Sequence, residues 1–161
     1  MFALIAGLVT FSTNKSNAVT ESFDAAYEIL APLAIAQTTA LDFGQIVKPS
    51  VGGDTNTFTL AAATGVVVVS GAGDGTHAGS QFAGELAVTA GASGLAVTQP
   101  LTGTPGSCDD ANVTLDSIDF GTATNAGNTN FDIAVGGVLT VDGNAAIATG
   151  VCTYTVTANF A

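Results

Sequence analysis

The sequence predicts an all-β protein, folded as an antiparallel β-sandwich, and three observations carry that prediction. Twenty glycines and many threonines stand beside one methionine and no tryptophan, a composition that suits short strands joined by tight turns. From Val19 onward, short apolar or alternating segments recur between turn residues. The final segment is the most regular. Cys152, Tyr154, Val156, Ala158 and Phe160 share one face, and Thr153, Thr155, Thr157 and Asn159 share the other, so one face is core and the other is wet. A length of 161 residues suits one domain, and 47% hydrophobic composition supplies its core.

The chain opens on an apolar run from Phe2 to Phe11. At about ten residues it is short for a membrane span and suits the hydrophobic region of a secretory signal peptide. Ser16-Asn17-Ala18 places small side chains at the first and third positions before a cut, so residues 1–18 read as a leader cleaved after Ala18. The run starts directly after Met1 without a basic stretch, which reads as a start that is truncated or misassigned. A buried N-terminal strand is the competing reading.

Residues 19–31 form the next unit. Phe23, Ala25, Tyr27 and Ile29 alternate with Ser22, Asp24, Ala26 and Glu28, which predicts a strand with one apolar face. Phe23, Tyr27 and Leu30 also fall at helical spacing, but Pro32 and the β-rich remainder favour the strand. The sandwich is expected over 32–161. Leu33-Ala34-Ile35 and Leu41-Asp42-Phe43-Gly44-Gln45-Ile46 read as strands, with Leu41 and Phe43 inward, Asp42 outward and Gly44 breaking the pleat. A turn at Gly52 to Asp54 leads into the alternating Thr57-Phe58-Thr59-Leu60. Val66 to Val69 is continuously apolar, which predicts a strand covered on both sides. Gly71 to Gly79 reads as a loop. Phe82, Leu86 and Val88 resume the strands, followed by Leu95 to Leu101 and Val113-Thr114-Leu115. Ser117 to Gly121 echoes Ala40 to Gly44, too briefly to argue a duplication. After a polar loop from Gly121 to Asn130, the segments Phe131 to Val135 and Val138 to Val141 flank Gly136-Gly137, the signature of a two-residue hairpin.

Charge and cysteine usage narrow the function. Thirteen acidic residues face two lysines, Lys15 and Lys48, and no arginine, for a net charge of −11. Such a surface repels nucleic acid and anionic head groups. Cys108 and Cys152 are the only cysteines, and an even count in an exported chain predicts a disulfide. With His77 the single histidine, no zinc-site or catalytic-dyad spacing arises. Asp74 and the pair Asp109-Asp110 do not repeat oxygen ligands at alternate positions as a calcium loop would, and they read as solvated turn residues. No nucleotide-binding or nucleophile-elbow motif is present. The expectation is a non-enzyme without cofactor, metal or catalytic residues. Asn112-Val113-Thr114 is a glycosylation sequon of little specificity.

Ala31-Pro32-Leu33, Leu41 to Ile46, Gly136 to Val141 and the alternating terminal strand, in this order and spacing, resemble the bacterial domain of unknown function 4402 over roughly Val19 to Ala161. That resemblance implies a secreted, pilin-like protein with an immunoglobulin-like sandwich and no catalytic residues. The C-terminus is also similar to chaperone–usher pilin subunits: Gly150 precedes an alternating assembly strand, Tyr154, Val156, Ala158 and Phe160, with an aromatic penultimate residue. Such subunits are open sandwiches completed by a neighbour's N-terminal strand. The resemblance implies that Phe23, Ala25, Tyr27 and Ile29 form the donor strand, that partners are further copies or related subunits, and that a periplasmic chaperone and an outer-membrane usher handle the chain. The cysteine placement departs from the usual pilin pattern, in which an early cysteine pairs within the first half. The expected function is a structural subunit of an extracellular pilus or surface filament, exported through the periplasm. A self-complete secreted adhesin or binding module is the alternative.

Overall fold

A computed structural model describes residues 21–22, 24–29, 32–90, 97, 101–123 and 130–159. The leader, Phe23, Phe160 and most of the segment from Leu95 to Pro100 lie outside them. The protein is all-β, and the described residues form ten strands: β1 (Ala34–Thr39), β2 (Gln45–Val47), β3 (Thr55–Leu60), β4 (Val67–Gly71), β5 (Thr76–Ala78), β6 (Gly84–Thr89), β7 (Thr102–Cys108), β8 (Val113–Phe120), β9 (Asn130–Asp142) and β10 (Cys152–Thr157).

The large sheet is organised by β9. Its first half pairs with β6 and its second half with β3, so these two lie end to end along one edge, while β8 runs along the other. β1 extends the sheet beyond β6 and β4 extends it beyond β3. All these ladders are antiparallel. Two small sheets, β7 with β10 and β2 with β5, complete the fold. Alternation puts Phe58, Leu86, Val88, Phe131, Ile133, Val135, Leu139 and Val141 on the buried face of the large sheet. Cys108, Cys152, Tyr154 and Val156 of the β7–β10 pair pack against this face, with Tyr154 touching both halves of the core. Two layers enclosing one apolar interior make a β-sandwich.

Three expectations need correcting. Gly136-Gly137 is not a hairpin turn: β9 runs straight through it, and neither glycine has a positive φ. A Cβ on Gly136 would lie 2.2 Å from the Leu60 carbonyl oxygen and 2.5 Å from the Ala62 nitrogen, and one on Gly137 would lie 2.7 Å from the Ser117 oxygen. The pair lets neighbouring backbones approach where β3 gives way to β6. Second, Gly71 to Gly79 is not all loop. Thr76 to Ala78 forms β5 because Val47, Ile46 and Gln45 supply a ladder partner. Third, Val66 to Val69 is not covered on both sides, since Val66 and Val68 are 51% and 60% exposed. β7 was not expected at all. Its glycines and Pro105 conceal a strand that, among the described residues, has one hydrogen-bonded partner strand, β10.

Gly44 does break the pleat, with φ of 74°, where the chain passes from the isolated Asp42–Phe82 bridge into β2. The turn at Gly52 to Asp54 also forms, closed by the Asp54 N–H donating to the Val51 carbonyl at 3.2 Å.

Candidate functional site

The passage from β1 into β2 creates a concave feature. β1 belongs to the large sheet, but after Gly44 the chain joins β5 instead, so β2 and β10 flank a space that neither covers. Among the described residues β2 pairs only with β5 and β10 only with β7, and each therefore keeps one edge without a ladder. An open groove of about 1140 Å³ lies here. It is lined by Leu41, Phe43 and Ile46 on one side, by Cys152 and Tyr154 on the other, and by Leu115, Leu139 and Val141 of the large sheet. The result is an apolar trough beside two strand edges, a surface to which an extended segment adds by backbone hydrogen bonds and alternate side chains.

Its ends are tied. At one, the Gln37 amide donates to the Tyr154 hydroxyl at 3.3 Å, linking β1 to β10. Burial raises the Tyr154 pKa above its ordinary value, partly offset by this hydrogen bond, so the phenol stays neutral through the physiological range. At the other end the disulfide predicted between Cys108 and Cys152 is present, with an S–S distance of 1.94 Å, and it joins facing residues of β7 and β10. The neighbouring carboxylates hold the segment from Ala145 to Val151. The Ala146 N–H donates to Asp110 at 2.6 Å and the Val151 N–H to Asp109 at 2.9 Å. Between these two clamps Ile147 is 95% exposed at the groove rim.

The candidate donor residues lie elsewhere. Ala25, Tyr27 and Ile29 are exposed and belong to no strand, with Tyr27 and Ile29 at 86% and 85% exposure; Phe23 is outside the described residues. On the terminal segment Tyr154, Val156 and Ala158 alternate inward against the core as expected, while Phe160 is outside the described residues.

The residues weighed as ligands have local partners. Asp74 accepts from the Ser50 N–H and hydroxyl, each at 2.7 Å, and these bonds lower its pKa. Asp110 is lowered by the Asn112 and Ala146 N–H groups, and Asp142 by those of Asn144 and Gly53. His77 sits half-buried on β5 with Nε2 2.9 Å from the Phe43 carbonyl oxygen. Lys48 is bonded to the Gly143 carbonyl. Among the described residues no three His, Cys, Asp or Glu side chains are grouped to hold a metal ion, and no helix is long and apolar enough to cross a membrane.

Sequence reasoning identified the terminal strand and Leu41 to Ile46 but not that they face each other across a groove. The sheet switch that opens it depends on pairing partners far along the chain. Gly44 inside an alternating segment was the one local signal. No known protein family, curated protein sequence or solved structure matches this chain.

Proposed function

We propose that this chain is a structural subunit of an extracellular pilus or surface filament, in which the N-terminal segment of one copy adds as a strand to the groove of the next. One observation carries the reading. An apolar groove beside the unladdered edges of β2 and β10 occurs in the same chain as an N-terminal segment whose Tyr27 and Ile29 stand in solvent. Large apolar side chains exposed on an extended segment are covered when it pairs with a sheet edge. The chain's acidity and the leader expected over residues 1–18 agree with a role outside the cytoplasm, and a chaperone that shields the groove before assembly fits the same geometry.

The test substitutes Tyr27→Asp or Ile29→Asp in the full chain. A carboxylate carried into an apolar groove costs several kcal/mol, about 3 or more. Filaments seen by electron microscopy for the unmodified protein should disappear, and near-UV circular dichroism should be unchanged because both side chains lie outside the sandwich. Unmodified protein that stays monomeric at high concentration would instead favour the self-complete binding module. Filaments that survive both substitutions would overturn assembly through this segment.

A further inference from the structure

One motif of the sequence plays no part in the groove. Asn112-Val113-Thr114 has the Asn-x-Thr form of an N-glycosylation acceptor. Asn14-Lys15-Ser16 is the other tripeptide of this form, and it lies in the leader expected over residues 1–18. Such a tripeptide can act as an acceptor only where a transferase can reach it, on an exposed loop. The fold gives Asn112 that setting. The Val113 N–H donates to the Asp110 carbonyl at 3.1 Å and closes a turn whose third residue is Asn112. The Asn112 N–H donates to the Asp110 carboxylate at 2.8 Å, and its carbonyl accepts from the Asp142 N–H at 3.0 Å. The backbone is therefore fixed at the entry to β8 while the side chain is exposed.

Alternation sets the three residues apart. Val113 packs inward against the core, and Asn112 and Thr114 are both exposed on the opposite side. The amide and the hydroxyl that define the acceptor thus face solvent together. The amide is loosely held. Its Nδ2 lies 3.3 Å from the Asp110 carboxylate and 3.5 Å from the Asn144 carbonyl, both longer than an ordinary N–H···O bond. Asn56 is the contrasting case, 2% exposed and bonded at 3.0 and 3.1 Å.

We propose that Asn112 is an N-glycosylation site, which takes a saccharide whose anomeric carbon is activated by a phosphate leaving group. Nδ2 forms the bond to the anomeric carbon, the carbon–oxygen bond to the phosphate breaks with its electron pair, and one Nδ2 proton passes to a base of the transferase. Ala111 and Val113 line the β2–β10 groove and Asn112 does not. A saccharide there stands outside the groove, and the proposal does not depend on the filament reading. The turn is bonded through Asp110 to Ala146, beside the 95% exposed Ile147. A bulky polar glycan at this turn gives cover to an apolar side chain that the fold leaves in water.

The experiment isolates the full chain from the cells that make it and reads the mass of the peptide spanning residue 112. That peptide should carry a saccharide, removed by an amidase that cuts the asparagine–sugar bond. Asn112→Gln and Thr114→Ala should each leave it bare, whereas Thr114→Ser, which keeps the hydroxyl, should retain the saccharide. Near-UV circular dichroism should be the same for all variants, because both side chains are exposed. Removing residues 1–18 identifies the donor: a bare peptide points to a lipid-linked saccharide met on export, a modified one to a nucleotide sugar of the cytoplasm, and either satisfies the proposal. A bare peptide in the unmodified chain, or a saccharide that survives Asn112→Gln or Thr114→Ala, would overturn it.

Discussion

Asn56 illustrates how single polar residues hold the loops of this sandwich in place. It is 2% exposed, accepts from the Gly75 N–H at 2.7 Å, and donates to the carbonyls of Gly73 at 3.0 Å and Ser70 at 3.1 Å. Asn56→Ala takes this partner from the Gly75 N–H and the Gly73 carbonyl and should cost about 2–3 kcal/mol, read as a lower urea midpoint with an unchanged slope. The carboxylates act in the same way at the surface. Backbone N–H bonds depress the pKa values of Asp74, Asp110 and Asp142 in the folded state. The stability these groups lend is present above their unfolded values near about 4 and is lost as pH falls through the lower folded values. Asp110→Asn should therefore narrow the difference between urea midpoints at neutral and acid pH. A gap as wide as in the unmodified protein would show that the Asp110 bonds contribute nothing measurable.

At the level of elements, β9 carries the architecture, and its glycine pair leaves no room for side chains. A methyl at Gly136 meets main-chain atoms of Leu60 and Ala62, which cannot swing aside as a side chain would. Gly136→Ala should cost about 3 kcal/mol or more and lower the melting temperature accordingly. Gly53→Ala makes a useful contrast: its φ of 88° is unfavourable for alanine, yet nothing lies within 4 Å of the added carbon. The cost there should be only about 1 kcal/mol. Equal losses at the two positions would mean that close approach is not what Gly136 provides. β8 accommodates its neighbour differently, with a register shift between Leu115 and Ser117. Asp116, in that irregularity, accepts from the Thr140 hydroxyl at 2.6 Å, so the extra residue is anchored on the outer face.

For the whole molecule, the Cys108–Cys152 bond is the covalent tie between β7 and β10, across a sequence separation of 44. On the chain-entropy account a loop of this length contributes about 4 kcal/mol, a large share of what a domain of this size has to lose. The double substitution Cys108→Ser, Cys152→Ser should lower the unfolding free energy by about that amount, read as a lower denaturation midpoint. Because Cys152 begins one wall of the groove, the same variant should also loosen whatever segment pairs there. A variant as stable as the parent would mean that the β7–β10 ladder alone holds the wall.

Local chemistry was legible wherever a residue's environment is set by its near neighbours. Alternation located β3, β6, β10 and both halves of β9, glycine located the bend at Gly44, and cysteine parity located the disulfide, because pleat, turn and redox context each act within a few residues or through a simple count. Tertiary structure decided the rest. Gly136-Gly137 carries the same local signal whether a chain turns there or lets a neighbour approach, and only the backbones of β3 and β8 distinguish the two. Val66 to Val69 shows apolar content without saying whether a covering layer exists. The groove itself follows from β2 leaving the sheet that β1 belongs to, a choice made by partners at Thr76 to Ala78 and by β10 closing on β7. Its form depends on contacts distant in sequence, which no local pattern encodes.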